Sequence, residues 1–222
     1  MTASPPPYDL AIFDCDGVLV DSEVISCRVY AETLTQFGYP ITADDVHRRF
    51  LGRSTRDADR EIEAEIGVAL PADFAPARSA ALLAALASDV RAIAHVADVI
   101  DAVAPRRCVA SSGGPEKIRT TLTAVGLYER FAPHIFSAVQ VARSKPAPDL
   151  FLFAAGQMGI APGRTIVIED SPSGVRAARA AGMDVVGFVG GSHCRAGDTE
   201  LLRDAGARVV VSDMRELPAV IL

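Results

Sequence analysis

The chain has no long apolar run, no cluster of basic residues, no paired-cysteine motif and no charged leader ahead of a hydrophobic segment. Each absence removes a class of function. A membrane-spanning helix takes about 20 consecutive apolar residues, and no stretch approaches that length. The longest basic runs are Arg48-Arg49 and Arg106-Arg107, the formal charge is −6 and the pI is about 5.2, so sequence-independent binding to nucleic acid is not expected. Cys15, Cys27, Cys108 and Cys194 are scattered, and 222 residues that are 50% hydrophobic can bury a core without disulfides, so reduced thiols and a cytoplasmic location are the expectation. Met1–Pro7 carries neither a charged nor an apolar region and reads as a short mobile arm, not a secretion signal.

What is present is alternation. Short apolar runs at Leu10–Phe13, Cys108–Ala110, Ile135–Phe136, Thr165–Ile168, Val185–Phe188 and Val209–Val211 read as buried strands. Helical patterns fall between the later ones, at Pro115–Val125, Pro148–Met158, Pro172–Ala181 and Thr199–Ala205. The expected fold is α/β, a doubly wound parallel sheet. From Glu23 to Ser88 the alternation stops. Val24, Ile25, Val29, Leu34 and Phe37 recur at helical spacing, Ala58, Ile62 and Ile66 follow at intervals of four after a possible cap at Ser54, and an alanine-rich stretch runs from Ala77 to Ala87. The expected organisation is a core of residues 1–22 and 89–222 interrupted by a helical insertion at 23–88.

In an open parallel sheet, ligands bind beyond the carboxyl ends of the strands, so the residues that follow each strand carry the functional signal. After the first come Asp14 and Asp16, separated by Cys15. Residues two apart in extended backbone share a side, so the two carboxylates should face one site with Cys15 turned away. Such a pair repels unless a cation lies between them, hard oxygen ligands suit magnesium, and one of the two could act as a covalent nucleophile. After the second strand, Ser111-Ser112-Gly113-Gly114 leads into a helix opened by Pro115, which suits a phosphate. Ser144-Lys145-Pro146-Ala147-Pro148 should hold Lys145 in stiff, extended backbone, where an ammonium loses little freedom on being fixed over a negative centre. After Thr165–Ile168 comes a second acidic pair, Glu169-Asp170, ahead of a helix capped by Ser171-Pro172.

The order of these four segments resembles the haloacid dehalogenase-like superfamily, and the insertion after the first resembles that family's α-helical cap, beside β-phosphoglucomutases and bacterial sugar-phosphate phosphatases. The resemblance implies a magnesium-dependent phosphatase acting on a small phosphorylated metabolite, such as a sugar phosphate or sugar-acid phosphate. Asp14 would attack phosphorus to give an aspartyl-phosphate. Asp16 would protonate the departing alkoxide and then deprotonate the hydrolytic water. Magnesium would be held by Asp14, the backbone carbonyl of Asp16 and Asp170, with Glu169 direct or through water. Ser111 and Lys145 would bind the non-reacting phosphoryl oxygens, with Ser112 beside them. Dehalogenases lack the second aspartate, so Asp16 favours phosphoryl transfer.

The chain departs from the mutase pattern in the insertion. Ser26 falls where those enzymes carry a histidine, and Leu51 and Thr55 fall where a lysine and an arginine grip the distal phosphate. Arg53 and Arg56 are the candidate substrate contacts there. A hexose-phosphate mutase therefore stays the alternative to a phosphatase. Ser-Ser-Gly at 111–113 also replaces the more usual Ser-Asn-Gly, which leaves substrate preference open. His47, His95, His134 and His193 stand isolated and read as structural or surface residues. No nucleic-acid or membrane partner is expected, and the chain is expected to act as a monomer.

Overall fold

Thr165–Glu169 is buried along its whole length, as a strand must be when helices cover both faces of its sheet. The computed structural model describes residues 8–52, 54–102 and 106–221. In chain order the elements are β1 (Leu10–Phe13), α1 (Glu23–Gln36), α2 (Ala43–Phe50), α3 (Thr55–Ile66), α4 (Phe74–Asp89), α5 (Val96–Ala102), β2 (Arg106–Ser111), α6 (Pro115–Ala124), α7 (Tyr128–Phe131), β3 (Ile135–Ser137), α8 (Asp149–Met158), β4 (Thr165–Glu169), α9 (Pro172–Ala180), β5 (Asp184–Phe188), α10 (Asp198–Ala205), β6 (Val209–Val211) and α11 (Leu217–Ile221). The six strands form one sheet in the order β3-β2-β1-β4-β5-β6, every pair parallel. This is the doubly wound order, and the strand order reverses between β1 and β4. Among the described residues, no helix is long and apolar enough to cross a membrane.

The chain divides into two compact units, residues 22–90 and the remainder. In the sheet unit, side chains alternate. Leu10 and Ile12 of β1 join Cys108, Ala110, Val167 and Val185 on one face, where Leu150, Phe151 and Ala154 of α8 and Val175 and Ala178 of α9 cover them. Phe13 points the other way and meets Phe131 of α7 edge to face at 5.8 Å. The register aligns Phe13 with Val109 of β2 and Ile168 of β4, so the residues that follow all three strands emerge at one edge.

The helical unit has its own core of Cys27, Tyr30, Leu34, Val46, Phe50, Ala58, Ile62 and Phe74. Helix α2 has only Val46 and Phe50 as buried anchors and is started by a reciprocal cap, with Thr42 accepting from Asp45 N–H and Asp45 reaching back to Thr42. Ser54 caps α3 by accepting from Asp57 N–H. Phe74 sits edge-on to Phe37 at 5.3 Å and lies 6.2 Å from Tyr30, under the Arg78 guanidinium. Truncating a fully buried phenylalanine removes its transfer free energy and leaves a cavity. Phe74→Ala should therefore cost the helical unit about 3–5 kcal/mol in urea denaturation followed by circular dichroism. A loss below about 1 kcal/mol would mean the aromatic cluster does not hold the unit together.

Candidate active site

The strand ends deliver their acids as follows. Asp14 follows β1 directly and ties its N–H to the Ile168 carbonyl of β4 at 3.0 Å, which locks the two acidic loops side by side. Past it the chain turns back: Gly17 N–H donates to Val20, and Leu19 and Val20 both donate to Cys15. Gly17 has φ +79°, and a Cβ there would lie 1.9 Å from Asp170 Oδ2, so the Asp170 carboxylate is packed onto a glycine backbone. Cys15 is buried, and burial pushes its thiol well up, which makes it inert.

Lys145 ties the loops together. Its Nζ donates to Asp14 Oδ1 at 2.6 Å, to Glu169 Oε1 at 2.7 Å and to the Ala110 carbonyl at the end of β2 at 3.1 Å. Its side chain is 5% exposed and its ammonium lies 4.9 Å from the Phe151 ring centroid. Burial disfavours the ammonium, but the charges of Asp14 and Glu169 outweigh it and raise its pKa. The backbone of Lys145 is part of a chain reversal. It lies in a turn closed by Ala147 N–H to the Ser144 carbonyl at 3.0 Å, with a cis peptide to Pro146.

Glu169 is 1% exposed and has both oxygens committed. Oε1 takes Lys145, and Oε2 accepts from the N–H and the hydroxyl of Ser171, each at 3.0 Å. Ser171 also caps α9 by accepting from Gly174 N–H at 3.0 Å. On the second strand, Ser111 is buried and its Oγ accepts from Gly113 N–H at 3.0 Å, while Ser112 is exposed.

Two residues outside the expected set join the cluster. Lys117, in the first turn of α6, pairs with Asp16 Oδ1 at 2.9 Å. His193 is not isolated in space: it is 5% exposed and its Nε2 lies 3.1 Å from Asp170 Oδ2. Burial opposes a charge on its ring, but the hydrogen bond to Asp170 prevails and raises its pKa to about 11. Gly191 makes room for it, since a Cβ there would lie 2.6 Å from His193 Cε1. No spacing in the sequence announces either residue. Composition does offer one signal for Lys117: Lys117 and Lys145 are the sole lysines among 22 basic side chains.

Asp14, Asp16, Glu169 and Asp170 thus meet Lys145, Lys117 and His193, and the acids outnumber the cations. Burial pushes the Asp14 carboxyl well up against the pull of Lys145, and the charges of Glu169, Asp170 and Asp16 push the same way. Burial also raises Asp170, with Glu169 adding to it against His193 and Lys145. Among the described residues no three acids, histidines or cysteines are grouped as a ready-made ligand set. Of the two arginines of interest, Arg56 is exposed in the first turn of α3 within the helical unit, and Arg53 lies outside the described residues.

The haloacid dehalogenase-like hydrolase family profile matches residues 11–188. The chain is 31% identical over 186 residues to 6-phosphogluconate phosphatase of Escherichia coli (strain K12), covering 83% of this chain and 84% of that one. It is 32% identical over 181 residues to the fructose-1-phosphate phosphatase of the same organism, covering 81% and 95%. A crystal structure of a haloacid dehalogenase family hydrolase from Deinococcus radiodurans, with bound phosphate and sodium, superposes with a TM-score of 0.79 at 31% identity over 96% of this chain and 95% of that one.

The packing of Glu169 gives a direct test. A Cβ on Gly174 would fall 1.8 Å from Glu169 Oε1, and the carboxylate cannot swing aside without breaking its bonds to Lys145 and Ser171. Gly174→Ala should lower stability by about 1–3 kcal/mol in urea titration despite the helix preference of alanine. A stability at or above that of the parent would show that Glu169 has room to move.

Proposed function

We propose, for a chain that belongs to the haloacid dehalogenase-like hydrolase family and is a phosphatase of small phosphorylated metabolites, that Asp14 is its nucleophile and Asp16 its acid and base. The observation that carries this reading is Lys145. One buried ammonium within 2.7 Å of both Asp14 and Glu169 keeps Asp14 fixed at the mouth of three strands. An Asp14 oxygen attacks phosphorus, and the bond from phosphorus to the leaving oxygen breaks. That oxygen keeps the electron pair and takes a proton from Asp16. In the second half, Asp16 takes a proton from water as the water oxygen bonds to phosphorus and the bond to Asp14 opens, releasing phosphate and restoring both carboxyl groups. Lys145 faces the charge that spreads over the non-reacting phosphoryl oxygens, joined by Ser111 and by the N–H groups at the start of α6, which suit a phosphate. Ser112, being exposed, is placed for the outer part of the substrate.

The donor set fits magnesium. It consists of hard oxygens, it carries more acids than protein cations, and a divalent cation would relieve both the burial and the neighbouring carboxylate charge that raise Asp14 and Asp170. Asp14, Asp170 and the Asp16 carbonyl would hold the ion. Glu169 would join them directly or through water, and its bonds to Lys145 and Ser171 also orient the lysine. Bound there, magnesium would offset the negative charge of nucleophile and phosphoryl group. The substrates are proposed to be sugar phosphates or sugar-acid phosphates. Nothing in the geometry favours the mutase alternative over hydrolysis.

The test is release of inorganic phosphate from a panel of phosphorylated sugars and sugar acids with magnesium. Asp14→Asn and Asp16→Asn should each lower kcat by about a thousandfold or more on the best substrate. Lys145→Ala should do the same and also destabilise the protein, because it leaves buried carboxylates facing each other. Near-parental rates in Asp14→Asn would overturn the assignment. Interconversion of hexose phosphates without phosphate release would establish the mutase.

A further inference from the structure

The two lysines of this chain divide the two catalytic acids between them: Lys145 is bonded to Asp14 and Lys117 to Asp16. The position of Lys117 is unfavourable by local rules. It is the third residue of α6, where the exposed N–H groups and the helix dipole favour an acid and penalise a cation. Its stem runs along the Ser111–Gly113 loop, since a Cβ on Gly113 would come within 3.4 Å of Lys117 Cδ and 3.3 Å of Ser111 Oγ. The cation is thus led from the phosphate-binding loop to the Asp16 carboxylate, where the partners' side chains are 23% and 13% exposed. A largely buried ion pair loses to desolvation much of what its attraction gains, so stability gives no strong reason for a lysine there.

We infer that Lys117 is a positioning residue for Asp16. It holds Oδ1, so that Oδ2 is the oxygen that hands a proton to the leaving group and takes one from water. This rests on the reading of Asp16 as acid and base given above. When Oδ2 gives up its proton, the carboxylate formed is already paired with an ammonium, and no charge has to move to receive it. Without Lys117, Asp16 loses the bond that fixes Oδ1, and proton delivery becomes the step that suffers. Placement of the phosphoryl group, which is the work of Lys145 and Ser111, suffers less.

The experiment compares leaving groups with magnesium present. An alkyl phosphate of the sugar type must be protonated as it departs, whereas p-nitrophenolate leaves as a stable anion and needs little help. The parameter read is kcat/KM, because it includes only steps up to loss of the leaving group and excludes the later attack of water. Lys117→Met should lower kcat/KM for the alkyl phosphate at least tenfold more than for p-nitrophenyl phosphate. Lys117→Arg, which keeps a cation of different shape, should recover part of that selective loss. It also provides a folded comparison if the methionine variant is unstable.

Equal losses on both substrates would make Lys117 a phosphate ligand and overturn the inference. So would no loss on either. The reading of Asp16 itself is checked separately: Asp16→Asn should show the same selectivity in more severe form. If Asp16→Asn discriminates between the substrates and the Lys117 variants do not, the acid–base reading stands and the positioning role falls. If the parent protein releases phosphate from neither substrate, both fall.

Discussion

Lys145 is buried among oxygens supplied by three different strands, and most of the site follows from how costly that is. An ammonium removed from water is tolerated only if carboxylates replace its hydration, and carboxylates removed from water are tolerated only if a cation does the same. Asp14 after β1, the Ala110 carbonyl at the end of β2 and Glu169 at the end of β4 meet that requirement together. None of the three loops can adopt another arrangement alone, because each would strand a charge belonging to the others. The parallel register of β1 with β2 and β4 brings these ends to one edge, so the sheet sets the distances. The reversal of strand order between β1 and β4 leaves that edge open to a ligand.

Around this centre each remaining acid has its own support. Asp16 is held by a lysine from α6, Asp170 by His193 from the loop after β5, and Glu169 by the serine that also caps α9. Local devices of helix capping therefore serve the chemistry as well: Ser171 starts a helix and fixes a carboxylate with the same hydroxyl. Close packing does part of the work. Gly17 and Gly174 are needed because Asp170 and Glu169 occupy the space where side chains would otherwise be.

The six strands were readable because a parallel sheet covered on both faces leaves continuous apolar runs, as in Ile166-Val167-Ile168 or Val185-Val186. The helices bounded by Ser171-Pro172, Gly114-Pro115 and Ser54 were readable from their starts. Helix α2 was not, since eight residues with Val46 and Phe50 as their buried anchors give almost no periodic signal, and its start depends on a reciprocal bond between Thr42 and Asp45. At the site, residues that follow strands could be picked out by position alone: Asp14, Asp16, Ser111, Glu169 and Asp170. Lys117 and His193 could not. Lys117 is displaced into a helix whose usual preference is for an acid, and His193 reaches Asp170 through a glycine-lined fold of the chain that no short-range pattern encodes.

A chain with lysine at 117 and 145 and arginine at every other basic position has an unusual property outside its own chemistry. Reagents that acylate or reductively methylate side-chain amines have two targets in it, both at the site. Lys145 is nearly sealed and held by two carboxylates, whereas Lys117 keeps a quarter of its side chain open to solvent. Isotope-labelled methyl groups attached by such a reagent would thus give a spectrum with almost no background, a built-in spectroscopic reporter beside Asp16.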